Sequence, residues 1–435
     1  MAFVVRLAIV INGTLAVPVI TGFKGDEFKI TIQNLLTDGS MNRSTSVHWH
    51  GIMQQRNNAM DGTASVTQCP IAPGHSFQYH FSSDGQAGTF WYHSHFRRQL
   101  CEGLRGPLVL YDPDDPYQSL YDVDDGDVLD YNADGLYHHN AFDITGTTLP
   151  TSLLINGLGR YPGGPASPLA VINVVQGKRY RIRLLNIACG TDYVFSIDEH
   201  VFTIIEADGE PTQPLVVDSI MIGTAQRFDN GLNSAILRYS GAPIADPPTR
   251  NWTLVRELAE YELHGVNTTV PGRPGVGNAD VNLNLWHING ESYVSPETPI
   301  LLQILSDATA AQLVPQGSIY TVPTNKVVEV SFPGALLASS HSFHLHGHRF
   351  DVVRSAGTRE YNYLNPVRRD TMNSGTPTDN VTIRFVTDNA GPWFLHWGMA
   401  VVFAEDVQGT ASSDPGNGQG KKLCDIYNVL PPSEQ

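Results

Sequence analysis

The chain has 435 residues and a formal net charge of −16, with 40 Gly and 28 Pro. That length holds two or three domains with ample cores, and the acidic balance argues against nucleic acid and anionic membrane surfaces as partners. The Gly and Pro content and the scarcity of long helical patterns favour an all-β chain of short strands and many turns.

Taken in order, Met1 to Ile11 is apolar but short and is interrupted by Arg6, so it reads as a first strand rather than a signal peptide. Phe28–Ile32 alternates, Val47–Gly51 brings His48 and His50, and Phe77–Phe81 alternates again. Gly88–His95 then supplies His93 and His95, Pro107–Tyr111 is a short apolar strand, and Asp112-Pro113-Asp114-Asp115-Pro116 breaks the chain as a linker. Lys178–Leu185 alternates, and its arginines read as a solvated face. Asp246-Pro247-Pro248-Thr249 marks a second linker. Further on, Leu301–Leu305 and Val327–Phe332 alternate, His341 to His348 carries four histidines, and Val381–Val386 and Ala400–Ala404 follow. The tail from Gln408 to Lys422 is Gly/Ser-rich and reads as loose until Cys424 pins it.

The histidines carry the chemistry. Strand side chains alternate faces, so a His-x-His pair puts both imidazoles on one face, roughly 6.6 Å apart along the backbone. That separation suits one metal or two neighbouring ones, and imidazole serves copper, zinc, iron or nickel. An isolated pair is more often two polar strand residues facing solvent. Sixteen histidines in this length give about 0.6 such pairs by chance, and the chain has four, so a metal cluster assembled from distant segments is expected. No Glu stands in a His-Glu-x-x-His arrangement, which disfavours a zinc hydrolase. Four cysteines spaced too widely for a metal knuckle read as two disulfides in an oxidising compartment. Asn-x-Ser/Thr acceptors at Asn12, Asn42, Asn251, Asn267 and Asn380 add modest support for secretion, and a secreted chain with no leader suggests an incomplete amino terminus.

His48-Trp49-His50-Gly51, then Gly88–His95 running on to Cys101–Pro107, then His341–His348 and Gly391–His396, resemble the copper motifs of the fungal laccases, a family of blue multicopper oxidases. The resemblance covers nearly the whole chain. It implies three cupredoxin-like Greek-key β-sandwich domains, at 1–115, 116–245 and 246–435, with the second abridged after Phe228. It implies four copper ions, one mononuclear type-1 and three in a cluster between the first and third domains. Carried over, His48 and His344 hold the type-2 copper, and His50 and His93 one type-3 copper. His95, His346 and His396 hold the other, and His341 is a type-1 ligand. His348 has no ligand role. Asp61 matches a carboxylate that assists proton delivery, although an Asp-Gly pair is as readily a plain turn. The implied disulfides are Cys69–Cys424 and Cys101–Cys189.

Two departures stand out. Gly190 occupies a position where many relatives place a phenol-binding carboxylate. After His396 the chain reads Trp397-Gly398-Met399, where the family reads His-Cys-His and a further His. The type-1 thiolate, one type-3 histidine and the second type-1 histidine are absent, and a blue site requires His₂Cys. The expectation is a secreted, glycosylated, monomeric laccase-type oxidase of phenols or aromatic amines that reduces dioxygen to water. Its rivals are a catalytically impaired copper-binding glycoprotein of the same fold and a mis-spliced version of an intact enzyme.

Overall fold

A computed structural model describes residues 8–14, 18–124, 128–134, 152–160, 164–188, 192–227, 235–247, 253–266, 270–272, 279–280, 283–284, 287–334, 341–397, 399–412 and 419–431. The all-β expectation holds. In the first third, Ile20–Phe23, Arg105–Tyr111, Gly88–Ser94 and Val47–His50 pair in that order, while Glu27–Gln33 pairs with Ser76–Ser82. The two kinds of strand differ for a reason visible in their residues. Ser76–Ser82 buries Phe77, Tyr79 and Phe81 and exposes Gln78 and His80, as a half-covered strand must. Gly88–Ser94 is buried along its whole length and shows no such alternation.

The last third contains two five-stranded sheets. One runs Ile319–Val322, Ala400–Glu405, Gly391–His396, Ser342–Leu345, Thr371–Asn373, and the other is built around Val327–Pro333, Asn380–Val386 and Phe350–Arg354. Smaller sheets, among them the hairpin Phe202–Ala207 with Glu210–Val217, make up the middle third. The largest apolar cluster joins the middle and last thirds through Leu184, Phe195, Ile220, Phe332, Phe343 and Phe385. A second surrounds Trp49, Tyr79 and Phe81 and takes in Leu301, Leu423 and Cys424. The end of the chain therefore packs on its first third, where the Cys69–Cys424 disulfide bridges 355 residues of sequence.

Several expectations need correction. Leu301–Leu305 lies in an α-helix, Ile300–Leu305, whose buried Ile300, Leu301 and Ile304 follow a helical stripe. The Gly/Ser-rich tail forms helices at Val407–Ser412 and Gln419–Tyr427, with residues 413–418 outside the described set. The arginines of Lys178–Leu185 are not a solvated face. Arg181 pairs with Asp115 and, at 2.6 Å, with Glu206, and Arg183 reaches Asp124 at 2.9 Å. Acids from distant segments neutralise these cations, so that face turns inward; only Arg179, on Asp122, stays well exposed. The strand itself is short, Arg183–Asn186. Residues 8–10 form no strand and Ile11 makes only an isolated bridge to Thr14, while residues 1–7 lie outside the described set, as does the break after Phe228.

Candidate metal centre

Strand register delivers the imidazoles. Val47–His50 runs antiparallel to Gly88–Ser94 with His48 opposite His93, and Ser342–Leu345 runs antiparallel to Gly391–His396 with His344 opposite His396. Directly paired residues lie within side-chain reach. The two sheets meet so that the ring centroids of His48 and His346 are 3.9 Å apart and those of His50 and His344 are 3.5 Å apart. Histidines some 300 residues distant in sequence thus share one buried space.

Their protonation is dictated by backbone carbonyls, which only accept. The Nδ1–H of His48 donates to Asp61 O at 2.8 Å, that of His344 to Asp370 O at 2.9 Å, and that of His93 to Ser94 O at 2.9 Å. In a neutral ring so held the tautomer is Nδ1–H, which leaves Nε2 as the lone pair, the form in which imidazole ligates a metal. The Nε2 atoms of His48 and His344 are buried with no hydrogen-bond partner among the described residues. Burial first, and neighbouring imidazoles second, push His50, His95, His93 and His346 well below the ordinary histidine range. His344 is also lowered by burial, and His396 falls to about 3 for the same reason. These rings are neutral at pH 7.

Three groupings place ligand atoms within 4.8 Å of one another among the described residues: His48, His50 and His344; His95, His346 and His396; and His48, Asp61 and His346. In the second, His396 Nε2 lies 3.1 Å from His95 Nε2 and 3.0 Å from His346 Nε2. A tetrahedral ion with ligands at about 2.05 Å needs donor separations of roughly 3.3 Å, so these two separations lie within a few tenths of an ångström of what one ion requires.

Asp61 lies against both groups, with Oδ1 3.2 Å from His48 Nδ1 and Oδ2 3.0 Å from His346 Nδ1, and accepts from Thr63 Oγ1 at 2.6 Å. Burial opposes its ionisation, but His48 and the Thr63 hydroxyl outweigh it and hold the carboxyl below its ordinary range. On the opposite side Asp370 contacts His50 and His344 and is gripped by Arg227, whose Nη1 and Nη2 lie 2.6 and 2.5 Å from its two oxygens. Sequence reasoning missed Asp370. It sits in Arg368-Arg369-Asp370-Thr371 with no histidine near it in the chain, so no spacing signal marks it.

His341 joins none of the three groupings; its ring stacks on Trp397 at 3.9 Å. No thiolate is available to it among the described residues, because Cys69 and Cys424 are bonded to each other and Cys101 is also disulfide-bonded. Cys189 lies outside the described residues, as does Gly190. The residues present do not fit a His₂Cys copper site. His348 is buried, with Nε2 3.0 Å from Glu405 and Nδ1–H donating to His346 O at 3.1 Å. Among the glycan acceptors, Asn12 is exposed, Asn42 and Asn380 are half-buried, and Asn251 and Asn267 lie outside the described residues. No helix among the described residues is long and apolar enough to cross a membrane.

Comparison with known proteins agrees with this arrangement. Residues 3–115, 118–233 and 293–409 each match a multicopper oxidase family. A laccase of Pycnoporus cinnabarinus is 48% identical over 478 aligned positions, spanning 99% of this chain and 92% of its own. Laccase-4 of Trametes villosa is 47% identical with the same coverage. Those 478 positions exceed the 435 residues here, so the relative carries internal segments that this chain lacks. Among solved structures, the laccase of Botrytis aclada superposes with a TM-score of 0.82 at 27% identity, over 97% of this chain and 88% of its own. The multicopper oxidase Fet3p, described as functioning in iron import, gives 0.79 at 25% identity, over 96% and 90%. With imidazoles from both ends of the chain converging on one buried centre, and near-full-length identity to fungal laccases, the chain belongs to the laccase-type multicopper oxidases.

Proposed function

We propose that the chain binds copper at its buried histidine centre in the manner of a laccase, with phenols or aromatic amines as electron donors and dioxygen as acceptor, and that its electron-entry site is incomplete. Copper, when bound, supplies the one-electron chemistry that links such donors to dioxygen. The observation that carries the reading is the set of buried imidazoles gathered from both ends of the chain, with the Nδ1–H groups of His48 and His344 tied to carbonyls and His396 Nε2 3.1 and 3.0 Å from the Nε2 atoms of His95 and His346. In this reading His48 and His344 serve the type-2 position, and His95, His346 and His396 one type-3 position. His50 and His93 serve the other, which is one ligand short. Asp61 and Asp370 orient the rings from outside the centre, and Asp61, ionised and hydrogen-bonded, is placed to hold or pass a proton.

His341 alone remains of the mononuclear ligands. A single imidazole holds copper weakly, and without the thiolate there is no short covalent route from a donor at the surface to the buried histidines. The same reading divides the chain at 115/116 and 245/246, pairs Cys101 with Cys189, and makes the protein a secreted, glycosylated monomer. The test is to express the chain unaltered, reconstitute it with copper, and record its visible spectrum and dioxygen uptake with a phenol. Copper retention without an intense blue thiolate band and with negligible turnover is expected. A strong blue band with turnover would show that other residues replace the missing ligands.

The internal gaps in the alignment favour a second reading, in which another transcript of the same gene encodes the intact fourth motif. Sequencing transcripts across Phe394 to Met399 decides it: a His-Cys-His there supports this reading, and only the present sequence removes it.

A further inference from the structure

We infer that the middle third of the chain holds a second ligand site, a cavity that takes an organic carboxylate with an apolar body and seats the carboxylate on Arg183. The inference goes beyond the copper reading and does not depend on it. The cavity has a volume of about 540 Å³ and is lined mainly by residues 174–184, 195–206 and 237–239. Small-molecule pockets span about 300–1,000 Å³, so its size suits a compact organic molecule. None of the candidate copper-ligating histidines lines it. Val174, Leu184, Phe195, Phe202 and Leu237 make apolar walls, and Val175 and Val201, 51% and 66% exposed, carry them out to solvent.

The charged part of the lining is one-sided. Lys178, Arg179, Arg181, Arg183 and Arg227 contribute to it against a single carboxylate, Glu206. The other acids that pair with these arginines, Asp115, Asp122, Asp124 and Asp370, do not line the cavity and hold the guanidinium groups from outside it. Arg183 is the decisive residue. Its side chain is 4% exposed; Nη1 donates to Thr89 Oγ1 at 3.2 Å and Nη2 to Asp124 Oδ2 at 2.9 Å. Its Nε is buried with no hydrogen-bond partner among the described residues. A buried donor left unpaired is unfavourable, and a guanidinium donor pairs most strongly with a carboxylate. A wholly apolar occupant would leave Nε bare, and a small inorganic anion would leave the apolar walls wet. An apolar body that ends in a carboxylate satisfies both.

The test is isothermal titration calorimetry of the full-length chain with naphthoate and with its neutral counterpart naphthamide, near-ultraviolet circular dichroism confirming the fold of each variant. Naphthoate should bind once per chain, with the same affinity in copper-loaded and chelator-treated protein, and naphthamide at least about tenfold more weakly. Arg183→Gln should weaken naphthoate by about tenfold or more and bring it level with naphthamide. Leu237→Trp, which fills the cavity, should abolish binding of both. No binding to the parent chain, naphthamide as tight as naphthoate, or unchanged affinity in the folded variants would overturn the inference. So would binding that disappears on chelation, since the carboxylate would then be sitting on copper. Should Arg183→Gln fail to fold, the preference for acid over amide and the Leu237→Trp result decide.

Discussion

Replacing Arg227 with methionine strips the guanidinium from a carboxylate that has no solvent to turn to. Arg227 and Asp370 have side-chain exposures of 1% and 2%, and the pair is bidentate. Arg227 also donates to Thr89 O at 3.0 Å and Ala225 O at 3.2 Å, so three segments converge on one side chain. Removing one partner of a buried pair costs about 3–5 kcal/mol, chiefly through the charge left behind. At about 2–4 °C per kcal/mol for a unit of 150–250 residues, the affected transition should fall by roughly 6–20 °C. Scanning calorimetry of R227M, D370N and the double variant closes the cycle. In R227M/D370N the stranded charge is gone, so the double variant should be more stable than R227M by at least about 1–2 kcal/mol. If R227M melts within about 2 °C of the parent chain, or if adding D370N changes nothing, the pair does not carry this load.

Three further outcomes follow from particular residues. Gly62 has φ +83°, and a Cβ there would lie 1.8 Å from Val47 O, so Gly62→Ala must displace the strand bearing His48; a loss above about 2 kcal/mol and reduced copper uptake are expected by thermal melt and elemental analysis. Cys424→Ser opens the 355-residue bridge. The chain-entropy ceiling is roughly 6 kcal/mol, and the helix Gln419–Tyr427 should become the first site of limited proteolysis. Burial opposes ionisation at Asp379, yet backbone N–H groups of Gly357 and Thr376, at 2.8 and 2.7 Å, hold its carboxyl below the ordinary range. Its contribution is therefore present above about pH 4 and is lost as pH falls through the lowered value. Asp379→Asn should cost about 1 kcal/mol at neutral pH and converge with the parent in acid, as followed by melting temperature against pH.

What was legible in the sequence follows from the range of the interactions. His-x-His on alternating strands is a local pattern, so the candidate ligands stood out, and so did Ser76–Ser82, where one face is wet. Leu301–Leu305 misled because five mostly apolar residues satisfy either period, and only burial against Val66 and Phe394 selects the helix. Arg181 and Arg183 looked solvated because their acids, Asp115, Asp124 and Glu206, lie up to 66 residues away. Asp370 was invisible for the same reason: its meaning comes from Arg227, His50 and His344, none of which is its neighbour in the chain. The approach of His50 to His344, with ring centroids 3.5 Å apart, likewise depends on where two sheets meet, which spacing along one strand does not encode.

The disposition of those strands has a mechanical consequence. The two all-histidine groupings, His48, His50 and His344, and His95, His346 and His396, each draw candidate ligand atoms from residues 48–95 on one side and 344–396 on the other. An ion bound in either is a removable rivet between the two ends of the polypeptide. Ligand binding and the cohesion of those ends are then thermodynamically linked, since whatever binds only the closed arrangement stabilises it by mass action. A chelator becomes in effect a force acting on the seam, and the seam in turn sets how tightly metal is held. Variants far from any imidazole that loosen the contact between the two ends should therefore leak copper.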